Sequence, residues 1–328
     1  MPHQALLRAA RALSCDRVSA EVICVLRDAD IQTILLKGPS IARWLYPRGG
    51  RGYTDTDILV RACDVGPAAD VLRSLGFTDL LDGFHPLERD ADLAETTFVR
   101  RAESGHGPDG LVDLHHNLPG VPAPSEALWQ AFSTGAETML IGDVEARVTS
   151  RTALGLHIVL HAAQHGFLGH TREDLSRAIA VMSADDWRGT AEMAARLGVT
   201  DILGAGLRHQ GAGAKIADCL GLPRLPLADS RFWPGFAPRG SASAAEILSA
   251  TTLRQKTDRI RRVLLPSPAK IRYVSSSPDR RGWSLLPSYA RWWRDLARAT
   301  APAVRHARAR QRLARDDSNH ASPGIFSD

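Results

Sequence analysis

Asp55 and Asp57 stand one residue apart in Tyr53-Thr54-Asp55-Thr56-Asp57-Ile58-Leu59-Val60. The apolar end of that run reads as a strand, and on an extended backbone residues two apart project from the same side. Two carboxylates on one side make a clamp for a cation. A second apolar strand, Leu111-Val112-Asp113-Leu114-His115, carries Asp113, and a sheet that sets the strands together brings three carboxylates to one place. Hard cations such as Mg²⁺ take carboxylate and phosphate oxygens, so the trio suits phosphoryl chemistry on a nucleoside triphosphate.

The remaining periodicity supplies the surroundings. Apolar residues recur at helical spacing over 4–27, 33–36 reads as a short buried strand, and 40–46 as a helix stopped by Pro47. A basic loop at 48–52 leads into the Asp55 strand. A helix is expected over 65–75, closed by Gly76, then strands over 95–100 and 111–115 joined by a glycine-rich loop at 104–110. Residues 1–150 are thus expected to form a small mixed β-sheet with flanking helices. From 151 to 222 the pattern is helical, 223–245 is a Pro-, Gly- and Ser-rich connector, 246–315 is basic and helical, and 316–328 is expected to be a disordered tail. The fold class is α+β.

Composition narrows the setting. The 328 residues, 44% apolar and 23% charged, match a globular chain with room for two domains and exclude a disordered one. No apolar stretch reaches the length of a spanning helix and no signal core opens the sequence, so a cytoplasmic protein is expected. Cys15, Cys24, Cys63 and Cys219 lack paired spacing, which argues against a disulfide framework or a zinc knuckle. The net charge of +5 conceals an imbalance: residues 251–315 hold 17 Lys and Arg against 3 Asp and Glu, about +14, leaving about −9 elsewhere. Such a region suits nucleic acid, an acidic lipid surface, a triphosphate or the acidic body of the same chain. Trp292 and Trp293 stand among its arginines but keep the spacing of a packed helical face, so nucleic acid is not the favoured partner.

In order and spacing, Lys37-Gly38, Tyr46-Pro47, Arg51, Asp55-Thr56-Asp57-Ile58-Leu59-Val60 and Val112-Asp113-Leu114-His115 resemble the uncharacterised nucleotidyltransferases of the DNA polymerase β-like superfamily. His161 and His165, Asp174-Leu175 and Leu265-Pro266-Ser267-Pro268 extend the resemblance over most of residues 20–290. It implies an enzyme that moves a nucleoside monophosphate from a triphosphate to an acceptor hydroxyl and releases pyrophosphate, with Asp55, Asp57 and Asp113 as catalytic ligands of two Mg²⁺ ions. It also implies that Asp113 orients or deprotonates the acceptor. The amides near Gly38 and the Ser40 hydroxyl would hold the β- and γ-phosphates, with Lys37, Arg51 and His115 adding contacts. Two departures stand out: Pro39 follows Gly38 where the superfamily has Gly or Ser, and Thr56 replaces the usual aliphatic residue between the acids.

The expected acceptor is a small molecule or a peptide or protein hydroxyl. A non-catalytic nucleotide-binding module and an RNA 3′-end nucleotidyltransferase of toxin–antitoxin type are the alternatives. His157, His161 and His165 recur every four residues and stripe one face of a helix, either as cleft lining or as buried, hydrogen-bonded core.

Overall fold

The computed structural model describes residues 2–84, 94–101, 108–224, 241–275 and 282–320. Two compact units divide the chain, residues 1–80 with 92–232, and residues 81–91 with 233–328. Most of the connector (225–240), most of the glycine-rich loop (102–107) and residues 321–328 lie outside the described residues.

The larger unit runs α1 (Pro2–Asp28), β1 (Ile34–Leu35), α2 (Pro39–Leu45), β2 (Thr56–Leu59), α3 (Val65–Ser74), β3 (Thr78–Asp79), β4 (Glu95–Arg101), β5 (Pro108–His115), α4 (Ser125–Ser133), β6 (Glu137–Ile141) and β7 (Val144–Val148). Its strands form one mixed sheet in the order β3-β4-β5-β2-β1-β7-β6. The central strand β2 runs parallel to β5, with Asp57 opposite Asp113 and Leu59 opposite His115. Alternation divides the two faces. Ile58, Val60, Val112 and Leu114 join Val18, Val22 and Leu26 of α1 and Ala68 and Leu72 of α3 in one apolar core. Thr56 is buried on that side too, where its Oγ1 shares a 2.8 Å hydrogen bond with Ser19 Oγ and so meets the cost of enclosure. Asp57, Asp113 and His115 therefore project from the opposite face. A slip of one residue would drive the acids into the core, so the apolar side fixes their alignment.

Five helices follow: α5 (Arg151–Gln164), α6 (Gly169–Val181), α7 (Ala184–Leu197), α8 (Thr200–Arg208) and α9 (Gly211–Cys219). α5 buries nearly every side chain from Ala153 to Ala163 and packs on α6, α7 and α8, the position required of a helix that is apolar nearly all round. Its N-terminus is capped by Ser150 Oγ, which accepts from the Ala153 amide. α7 begins with a reciprocal Ser183–Asp186 capping box and stops at Gly198 in the left-handed conformation.

The smaller unit holds α10 (Ser241–Ser249), α11 (Leu253–Leu264), α12 (Pro268–Val274) and α13 (Leu286–His320), the last running five residues beyond position 315. α10 and α13 meet through Ala244, Ala303 and Ala307. Among the described residues no helix is both long and apolar enough to cross a membrane.

Candidate active site

On the sheet face away from α1, a cavity of about 250 Å³ opens within the larger unit. Asp113 and His115 of β5, Glu95 of β4 and Asp55, just ahead of β2, line one side. His157 and His161 of α5 line the other, with His165 just past the end of that helix and His170 of α6. Ligand-capable atoms of Asp57, Asp113 and His115 lie within 4.8 Å of one another. Asp55 stands outside this trio, its side chain 31% exposed and 3.8 Å from the Lys37 ammonium. The close third member is thus His115, with Asp55 beside the group.

Lys37 is the cation at the centre. Its Nζ lies 2.9 Å from Asp57 Oδ1 and donates to His161 Nε2 at 3.4 Å. Burial opposes its charge, but Asp57 and then Asp55 outweigh that and hold its pKa above the ordinary value. Burial likewise opposes ionisation of Asp57, yet Lys37 and the hydrogen bond from His115 hold its carboxyl well below the usual range. The second oxygen, Asp57 Oδ2, is buried with no hydrogen-bond partner.

Asp113 behaves in the opposite way. Burial first and the neighbouring Asp57 charge second push its pKa up to about 6, against a 2.7 Å hydrogen bond donated by Thr97 Oγ1. His115 Nε2 is 3.3 Å from Asp57 Oδ1, and its Nδ1 is 3.2 Å from Glu95 Oε2 without the alignment of a hydrogen bond. Burial, then the Lys37 charge, brings His157 down to about 3 and holds His161 well below its ordinary value. His157 and His161 are therefore uncharged at neutral pH, which makes His161 Nε2 an acceptor for Lys37.

The other residues singled out in the sequence divide. Gly38 lines the cavity at φ +70°, a conformation that favours glycine, with the Tyr53 ring 3.5 Å from where a Cβ would sit. Ser40 is fully enclosed, its Oγ has no partner, and it is not part of the cavity wall. Arg51 reaches the wall, but its guanidinium makes two 2.8 Å hydrogen bonds to Asp174, which also accepts from Tyr46 Oη at 2.6 Å. That buried group ties the Tyr46–Arg51 segment to α6 and accounts for the spaced Tyr, Arg and Asp in the sequence. Glu95, Gln164 and His170 also line the cavity and were not singled out; β4 alternates without any motif around Glu95, and its approach to His115 depends on strand register.

Over residues 3–211 the sequence matches the family described as uncharacterised nucleotidyltransferase. The chain belongs to that family. It is a nucleotidyltransferase, and the matched span takes in the whole sheet, the cavity and helices α5 to α8. Among curated proteins there is no match. Two solved structures are similar: the antibiotic-resistance factor ANT(2'')-Ia in solution, 14% identical over 54% of this chain and 89% of that one at a TM-score of 0.35, and an antigenic nucleotidyltransferase-like protein from Paracoccidioides brasiliensis, 12% identical over 62% of this chain and 91% of that one at 0.38. At such TM-scores neither likeness bears on the chemistry of this chain.

Proposed function

We propose that this enzyme joins a nucleoside monophosphate to an acceptor hydroxyl. The acceptor oxygen bonds to the α-phosphorus of a nucleoside triphosphate, the bond to the leaving pyrophosphate breaks, and the hydroxyl proton passes to Asp113. The observation that carries this reading is the in-register pairing of Asp57 with Asp113 beside the cavity.

A metal fits the residues present. Asp57 Oδ2 is a buried carboxylate oxygen without a partner, and Asp113 resists ionisation beside Asp57, so the site is short of positive charge. Asp55, Asp57 and Asp113 offer the hard oxygen donors that Mg²⁺ prefers. These three would hold two Mg²⁺ ions, which supply charge neutralisation for the triphosphate and the departing pyrophosphate.

The chain's own groups do the rest. Lys37 presents an ammonium to the same space and pairs with phosphate oxygens as a point charge. Gly38 lets the backbone approach those phosphates with no side chain in the way. Arg51, engaged by Asp174, holds its segment in place, and the enclosed Ser40 leaves phosphate contact to Gly38 and Lys37. His115 steadies Asp57 through the hydrogen bond from its Nε2 to Oδ1. The acceptor is a small molecule or a peptide or protein hydroxyl: beyond Lys37 and Arg51 the cavity is lined by the uncharged His157 and His161, by Leu118 and Pro119 and by the acidic Glu95, not by the run of cations that a nucleic-acid backbone needs.

The test is incubation with labelled nucleoside triphosphates, Mg²⁺ and candidate acceptors, following pyrophosphate release for wild type and Asp57→Asn. Labelling by wild type alone is expected. Equal labelling by both removes the assignment, and label on RNA ends would move the acceptor class.

A further inference from the structure

The cavity chemistry leaves α11 unexplained. Leu253, Ile260 and Leu264 fall on one side of this helix, with Thr257 between them, and are 81%, 43% and 48% exposed. No residue of α11 is buried. Lys256 borders the stripe on one side, Arg254 and Arg261 on the other. Arg259 and Arg262 lie behind, and Asp258 is the one acid of the helix. Twelve residues with an uncovered apolar side gain little from forming a helix in water alone. Yet this helix is held at both ends. Thr252 and Gln255 form a capping box at its start, and the indoles of Trp292 and Trp293 donate to the carbonyls of Val263 and Leu264 at 2.9 and 2.7 Å. Exposure of this kind is concentrated here: of 14 large apolar residues exposed among the described residues, nine belong to the smaller unit.

We propose that α11 is a docking surface for an anionic lipid bilayer, with the Leu253, Ile260 and Leu264 stripe entering the boundary of the acyl chains and the flanking Lys256, Arg254 and Arg261 meeting headgroup phosphates. Charge complementarity selects an anionic surface, since α11 carries five cations against one acid and residues 251–315 carry about +14. The aliphatic stripe selects lipid over nucleic acid. Leucine and isoleucine gain by leaving water for hydrocarbon and gain nothing from a phosphate backbone, and cations set to either side of an apolar stripe match an interface in which both are satisfied.

The test is flotation of the full chain with vesicles of phosphatidylcholine alone and of phosphatidylcholine containing about one-third phosphatidylserine. Wild type should bind the anionic vesicles at least about tenfold more tightly than the neutral ones. Leu253→Gln with Ile260→Gln and Leu264→Gln should weaken binding to anionic vesicles by at least about tenfold at unchanged melting temperature, because the exposed stripe does not support the folded core. Lys256→Gln with Arg254→Gln and Arg261→Gln should also weaken it and flatten its dependence on salt. Two results would overturn the proposal: wild type ignoring anionic vesicles at low salt, whether or not it binds single-stranded RNA there, or the apolar variant floating as well as wild type.

Discussion

In the larger unit Lys37, Asp57, Arg51 and Asp174 carry their charges with side chains no more than 13% exposed, whereas in the smaller unit Leu253 and Trp283 leave 81% and 86% of their surface in water. Each arrangement is unfavourable by itself. A buried ion costs desolvation that its partners must offset, and an uncovered apolar patch forfeits the gain that folding normally takes from it. The difference teaches where each unit expects company. The larger keeps a polar deficit inside, around an unsatisfied carboxylate oxygen, and the smaller keeps an apolar surplus outside.

The contrast breaks most visibly at Asp57. Asp57→Asn should lower the turnover of nucleotidyl transfer by about 10²–10³-fold or more, measured by pyrophosphate release, because it removes the charge proposed to gather cations at the site. Unchanged turnover would mean that the buried charge serves folding alone. Next in size is Asp174→Ala, which strands the Arg51 guanidinium and should cost about 3 kcal/mol in urea unfolding. A loss below about 1 kcal/mol would show that water replaces the partner readily.

Asp113 sharpens the comparison through pH. Its carboxyl ionises near 3.8 ordinarily and at about 6 in the fold. The unfolded chain therefore releases its proton first, so metal-free stability falls as pH rises between these values and the full loss is in place above them. Asp113→Asn, which can still accept from Thr97, should be more stable than wild type by roughly 1–2 kcal/mol at pH 8 in chelator, allowing for partial exposure, with the advantage vanishing near pH 4. Equal stability at both pH values would contradict the crowding of Asp57 and Asp113. Smallest of all, Leu253→Gln should move the unfolding free energy by no more than about 0.5 kcal/mol. A larger loss would place that leucine in a folded-state contact.

Much of this arrangement was legible because alternation and helical periodicity are local. The apolar residues around Asp57 and Asp113 announced two buried strands, and the stretches that became α5 to α9 announced their helices. β6 and β7 were not anticipated. Glu137, Thr138, Leu140 and Glu145 are exposed on this edge hairpin, so its apolar contrast is weak, and the usable signal was Gly142-Asp143 as a two-residue turn. The link between Arg51 and Asp174 spans 123 positions, and nothing in the local pattern of either residue foretells the other. Ser40 shows a further limit: a serine at a helix start looks available to phosphate, but packing closed over it.

The pairing of β2 with β5 has an evolutionary corollary. The greasy reverse of these strands and the acids on their front share a single backbone alignment, so under the proposed mechanism selection for solubility of the fold and selection for turnover act on the same few positions. An inserted residue between Thr56 and Leu59 would forfeit both at once, while length changes in the 48–52 loop leave that alignment intact.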